Sequence, residues 1–309
     1  MDQKDKDEAK RILQEKEAQF SGLGKVTSFA AEDKKITVIE DIGWIRVKLD
    51  TLPSQGIFYP NGTEITIRAA LGGEIRHWST IDDEDLLNID DGLNRIVDKC
   101  CKVRFPNMMG SFKDLKEIDR FFIVFAIREY TFKKGENVLN VTFSCKGCGK
   151  NDTKSIVKEM LSYYVPATEL QARFSDDERC FHLKFNTNEE IKLYLPTLGI
   201  MNFIKGYIRE KNQNKEEYDE AFLKWAPFLF ADWRILNAST FQNALQDSYM
   251  WSVDKISIVD WFVEQMKKTI NAELKNECSG CGQEVIAPIS FRGGVKSLFL
   301  ISDISSKLL

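Results

Sequence analysis

The sequence predicts an α+β protein: a small β-containing unit bearing a pair of cysteine knuckles, with a mostly helical domain inserted between them. Three observations predict it. Short runs rich in Ile and Val alternate with polar residues through the first half, as half-buried strands do. Longer runs with apolar residues three and four apart, many of them aromatic, fill the stretch before Lys275, as amphipathic helices do. The pattern C-x-G-C-G occurs twice, as Cys145-Lys-Gly-Cys148-Gly149 and as Cys278-Ser-Gly-Cys281-Gly282.

Residues 1–34 read as a charged N-terminal arm, either a solvated helix or a flexible segment that orders on a partner. Residues 35–164 read as an α+β domain holding the first knuckle. Within it, Lys35–Asp50 is strand-like, and Asn61-Gly62 is a hairpin turn signal between two β-rich runs. The second run sets Ile65 and Ile67 on one face and Glu64, Thr66 and Arg68 on the other. Thr80 or Asp82 caps a helix whose apolar face is Leu86, Leu87, Ile89, Leu93, Ile96, Val97 and Cys100. A second helix runs through Lys113–Phe132, with Phe121, Phe122, Val124, Phe125 and Ile127 inward and Arg128 and Glu129 at its end. Strand Asn137–Ser144 then leads into the first knuckle.

Residues 165–277 read as the mainly helical domain. It includes a hairpin over Phe181–Pro196 and a polar loop or helix end at Lys211–Glu220. Ala231–Asp247 and Ser257–Ile270 are its clearest amphipathic pieces, and Trp225, Trp233, Trp251 and Trp261 are assigned to the core. Residues 278–309 hold the second knuckle, a short strand over Glu284–Phe291, and a tail with the apolar cluster Leu298–Ile301.

Of the 309 residues, 43% are hydrophobic and 29% charged, which suits a folded, soluble protein. A net charge of -4, with Lys and Arg mixed among acids, argues against a general nucleic-acid binder. No apolar run approaches the roughly 20 residues that cross a bilayer, and the charged N-terminus is not a signal peptide. The expectation is a cytoplasmic protein with no membrane partner. Catalytic patterns are missing. There is no H-E-x-x-H and no G-x-S-x-G, and Gly22–Ser28 and Gly293–Ser297 fail the phosphate-loop pattern. The acidic run Asp82–Asp85 lacks the rest of a calcium loop and reads as a solvated helix start. His77 and His182 read as ordinary strand or core residues. No constellation specifies a reaction, so no enzymatic activity and no small-molecule substrate are expected.

The seven cysteines divide into two groups. Cys100, Cys101 and Cys180 have no partner at a motif spacing and read as small buried hydrophobes. The other four carry the site. A C-x-G-C turn lets two thiolates point at one ion, its glycines supply positive φ, and its backbone N–H groups face the sulfurs. Two such turns facing each other give a closed tetrahedral shell of Cys145, Cys148, Cys278 and Cys281, which suits a structural Zn²⁺. Cys148 and Cys278 stand 130 positions apart, far more than in an ordinary zinc ribbon. One shared zinc would therefore clamp the two ends of a long excursion, removing unfolded-state entropy and tying metal binding to folding. Two sites each completed by a second copy, a redox pair and an iron–sulfur cluster are the alternatives.

Four features also occur in a telling order. They are LPSQGIFYPNGTEITIRA, the acidic helix ending in IVDKCCKV, IDRFFIVFAIREYTFKKGENVLNVTFSCKGCG with Asp119, Arg128 and Gly135 before the knuckle, and CSGCGQEVIAPISF followed by Phe299. Over roughly residues 50–302 the chain resembles the baseplate hub and tail assembly protein family of T-even-type contractile-tailed bacteriophages. The resemblance implies a non-enzymatic hub building block or assembly factor, in the manner of a chaperone. It implies Cys145, Cys148, Cys278 and Cys281 as structural zinc ligands, and other phage tail and baseplate proteins as partners. Its implied place is the host cytoplasm during assembly and the virion tail baseplate. Lys146 and Ser279 stand where family knuckles commonly hold proline, and the tail after Phe291 departs from the family's aromatic–proline ending. A zinc-ribbon nucleic-acid-binding adaptor is the alternative from another class, and the acidic balance counts against it. A metal-dependent enzyme would need an open coordination position, which four cysteines do not leave.

Overall fold

The computed structural model describes residues 43–78, 86–132, 139–156, 168–186, 189–269 and 273–288. The N-terminal arm, the Thr80 or Asp82 cap, the Asp82–Asp85 run and the C-terminal apolar cluster lie outside them. Among the described residues the chain is α+β, with eight α-helices and four small antiparallel sheets. No described helix is long and apolar enough to cross a membrane.

The first sheet has the order β1-β2-β3-β4, from Trp44–Val47, Glu64–Arg68, Cys101–Phe105 and Met108–Met109. Alternation works as the sequence predicts: Ile65 and Ile67 are buried while Glu64, Thr66 and Arg68 are half-exposed. Helix α1 is Gly72–Trp78, α2 is Leu86–Cys100 and α3 is Arg120–Thr131. Leu93, Ile96, Val97 and Cys100 of α2 meet Ile123, Val124, Phe125 and Ile127 of α3 in a first core against β2 and β3. From Ile89 onward the apolar face of α2 is the predicted one, while the Leu86 and Leu87 side chains lie outside those described.

Three local readings change in this part of the chain. Asn61-Gly62 does turn, with Gly62 at φ +79°, but no strand precedes it. β2 pairs with β1 instead, Trp44 opposite Arg68, across a long irregular connection. Pro53 and Pro60 lack ladder donors, and Gly56 packs so tightly that a Cβ there would lie 2.7 Å from that of Leu49. The Lys113–Phe132 helix begins only at Arg120, after two 3₁₀ turns at Phe112–Asp114 and Glu117–Asp119. Ser111 and Asp114 close a capping box on the first turn. The Asp119 carboxylate gives α3 no cap because it is engaged elsewhere. His77 lies on the exposed face of α1, not in a strand or a core.

The second core is richer in aromatics. Helix α4 (Thr168–Gln171) leads to a three-stranded sheet, β7 (Phe174–Ser175), β8 (Cys180–Lys184) and β9 (Glu190–Tyr194). The predicted hairpin is β8–β9, with Phe181 opposite Leu193. Helices α5 (Leu198–Asn214), α6 (Glu220–Leu229), α7 (Ala238–Ser248) and α8 (Val253–Thr269) follow. Phe181, Phe222, Phe228, Phe241 and Phe262 form its centre, and Trp225, Trp233, Trp251 and Trp261 belong to it or pack against it. Trp233 precedes α7 instead of lying on it. The helix starts where Asn237 accepts from the backbone N–H groups of Ser239 and Thr240, both at 3.0 Å.

Polar ties join the two cores. Phe58 sits in the second core and its neighbour Tyr59 in the first. The buried Asp119 accepts from the Ser54 N–H and the Tyr59 hydroxyl, each at 2.8 Å. Burial pushes its carboxyl up to about 6, although both partners oppose the rise. Asp90 on α2 is ion-paired to both Arg120 and Lys205, bringing α5 onto the first core. Desolvation opposes its charge, but the two cations outweigh it and hold the carboxyl below its usual value.

Candidate metal centre

Each knuckle is the turn of a two-stranded hairpin. β5 (Leu139–Ser144) and β6 (Asn151–Ile156) flank the first, with Ser144 paired to Asn151. β10 (Glu273–Glu277) and β11 (Glu284–Pro288) flank the second, with Glu277 paired to Glu284. The turns are built alike. The Cys145 N–H donates to the Lys150 carbonyl and the Gly149 N–H to the Cys145 carbonyl, both at 2.9 Å. The Cys278 N–H to Gln283 and Gly282 N–H to Cys278 bonds repeat this at the same length. Gly149 and Gly282 both sit at φ +72°, a left-handed conformation that suits glycine.

The hairpins meet through their turns. All four sulfurs lie within 4.8 Å of one another. Cys145 Sγ is 3.6 Å from Cys281 Sγ, and Cys148 Sγ is 3.5 Å from Cys278 Sγ. Those gaps are far too long for disulfides, which need about 2.05 Å. They suit a tetrahedral four-thiolate shell: Zn–S bonds of about 2.3 Å put the sulfurs roughly 3.8 Å apart. The arrangement has an approximate two-fold relation. A Cβ on Gly147 would meet the Gln283 side chain, and one on Gly280 would meet Lys150 and the Cys148 sulfur, so each turn approaches the other closely at its third residue. Cys145 and Cys278 are buried, while Cys148 and Cys281 are exposed.

The thiols influence one another strongly. The Cys148 backbone N–H draws the Cys145 thiol down to about 7, helped by the Gly147 amide and by the Cys281 and Cys278 thiols. At Cys148 the Lys150 amide pulls down, but the surrounding thiols outweigh it and push this group up to about 12. Cys281 follows the same logic, with the Gln283 amide lowering and Cys145 raising it, and it too ends raised. Crowded sulfurs resist a second negative charge, and a divalent cation is what would let all four ionise together. The donor set, its spacing and its backbone amides all fit such an ion.

The other three cysteines behave as buried hydrophobes. Burial pushes Cys100 up to about 12 and Cys180 to about 11, and it raises Cys101 as well. A second small group, Glu178, Cys180 and His182, was not legible in the sequence. His182 lies between Glu178 and Glu190, 3.1 Å from each, and Lys192 Nζ is 2.6 Å from Glu178 Oε2. Glu178 thus serves Lys192 and His182 together, a partly exposed ion-pair cluster. Sequence reasoning also missed Asp152, whose carboxylate reaches across to Ser279.

The family described as T4 bacteriophage base plate protein matches residues 45–299, and the chain belongs to that family. It is a phage baseplate structural component, placed in the virion tail and in contact with other tail proteins. No curated protein matches the chain, and no solved structure does.

Proposed function

We propose that this chain is a non-enzymatic component of the baseplate hub, acting as building block or assembly factor through protein–protein contacts. One structural Zn²⁺ on Cys145, Cys148, Cys278 and Cys281 stabilises it. The observation that carries the reading is the meeting of two C-x-G-C-G knuckles, with four sulfurs within 4.8 Å, in a chain of the baseplate family. Four thiolates close the coordination shell, leaving no position for a substrate or an activated water. The ion's work is to hold distant segments together, and the surfaces it rigidifies are available to neighbouring tail proteins.

Metal content of the purified chain and of the single variants Cys145→Ser and Cys278→Ser is the test. One zinc per wild-type chain, lost in both variants together with thermal stability, is the expected result. Metal retained in either variant would break the shared site. Failure of zinc-loaded chain to enter baseplates in an assembly reaction lacking the native subunit would refute the structural role.

A further inference from the structure

Asp152 is the second residue of β6, just past the first knuckle. Its Oδ2 accepts from the Ser279 backbone N–H at 2.8 Å, and its Oδ1 accepts from the Ser279 hydroxyl. Ser279 lies between Cys278 and Gly280 of the second knuckle. A carboxylate on one hairpin thus holds the peptide that aims the sulfurs of the other. These two bonds join the hairpins directly, beside the contacts made by the sulfurs.

The contact breaks the two-fold relation of the site. The position equivalent to Asp152 in the second hairpin is Val285, and that equivalent to Ser279 in the first is Lys146. Valine offers no acceptor, so the reverse bond does not exist. The second hairpin reaches back only through Gln283, whose Oε1 lies 3.9 Å from the Cys145 sulfur, with no carboxylate latch of its own. Two bonds from one carboxylate to an adjacent N–H and O–H fix both the position and the rotation of the 278–281 turn.

We propose that Asp152 is a positioning residue of the metal centre: it sets Cys278 and Cys281 opposite Cys145 and Cys148 before the ion arrives. This rests on the zinc reading above and goes beyond it, because it assigns part of the metal affinity to a group that never touches the metal. With the latch closed, the ion does not have to order the far turn alone. Residues that orient metal ligands in this way typically govern about 10- to 100-fold in affinity.

The test is a Co²⁺ titration of the full chain, followed by Zn²⁺ competition against a chelator, with folding checked by circular dichroism. Wild-type chain should show the ligand-field and sulfur-to-cobalt bands of a four-thiolate site. Asp152→Ala should bind Zn²⁺ roughly 10-fold or more weakly, with altered cobalt bands. Asp152→Asn should recover most of the affinity, because its amide oxygen still accepts from the Ser279 N–H. Asp152→Ala combined with Ser279→Ala should bind no worse than Asp152→Ala alone, since the bond made by the Ser279 hydroxyl is already lost in Asp152→Ala. A merely structural role would lower stability equally with and without metal, leaving affinity unchanged. Wild-type cobalt bands with unchanged affinity in Asp152→Ala would overturn the latch and leave the zinc site standing. A wild-type chain with no cobalt bands would overturn the zinc reading, and the latch with it.

Discussion

The knuckle pair and the second core hold distant parts of the chain together by opposite means. The second core does so with apolar area. Phe181 is 1% exposed and Phe262 is fully buried; Phe262's ring centroid lies 5.3 Å from that of Phe181 and 5.4 Å from that of Phe228. Each such side chain contributes about 1.5–3 kcal/mol of burial. The knuckle turns have little of this. Residues 146–151 and 279–284 are exposed, and among the hairpin side chains described, Phe143 and Asn276 are buried beside the sulfurs. The comparison teaches that one region is closed by many weak, non-directional contacts and the other by a few directional ones. The first should tolerate small losses. The second should open when one interaction is removed.

The largest expected effect separates the two regions directly. Stripping metal with a chelator should expose the amides of 139–156 and 273–288 to hydrogen exchange, while those of 198–266 stay protected. Structural zinc contributes on the order of 10 kcal/mol in small zinc domains, more than any single core side chain. Equal loss of protection everywhere would make the two regions one cooperative unit. Next in size, Phe262→Ala should cost about 3–5 kcal/mol in denaturant unfolding, while metal content stays that of wild type. A loss of metal in this variant would join what the comparison divides.

A smaller effect lies at Asp119, the carboxyl between the cores. Its value of about 6 in the folded protein is above that of an unfolded aspartate, so the folded state binds the proton more tightly. Stability from this group is fully present below about pH 4 and is lost as pH rises towards 6. The expected loss is at most a few kcal/mol. Asp119→Asn should abolish that slope in unfolding measured from pH 4 to 7, and a slope that survives would place the titration elsewhere.

The smallest effect is a gain. Asn276 is 4% exposed, and among the described residues its side-chain Nδ2 and Oδ1 have no hydrogen-bond partner. At the equivalent position the first hairpin has Phe143. Asn276→Leu should raise thermal stability by about 1 kcal/mol, because it removes a buried polar group with nothing to satisfy it. A destabilised variant would show that the amide is satisfied in solution by bound water.

Much of this was legible in the chain itself. Ile65 and Ile67 alternate with polar neighbours, and nothing in their surroundings overrides that pattern. The apolar face of α2 and the β8–β9 hairpin were readable for the same reason, since each is set by residues a few positions apart. The failures share a cause as well. The run before Asn61-Gly62 has strand-like composition, yet prolines and a crowded Gly56 turn it into bends. The helix ending at Thr131 starts late because Asp119, which reads as part of it, is held by Ser54 and Tyr59 from sixty or more positions away.

That two knuckles of one form exist, and what chemistry four cysteines in such turns can do, follows from the order of residues alone. A C-x-G-C-G turn is local: its glycines and amides shape it wherever it lies. That the knuckles meet, that Gly147 and Gly280 lie where the opposite turn approaches, and that Asp152 reaches Ser279 emerges only once the chain is folded. These contacts join positions 127 and 130 apart. Their formation depends on how two cores pack between them, and no local pattern of residues encodes that distance.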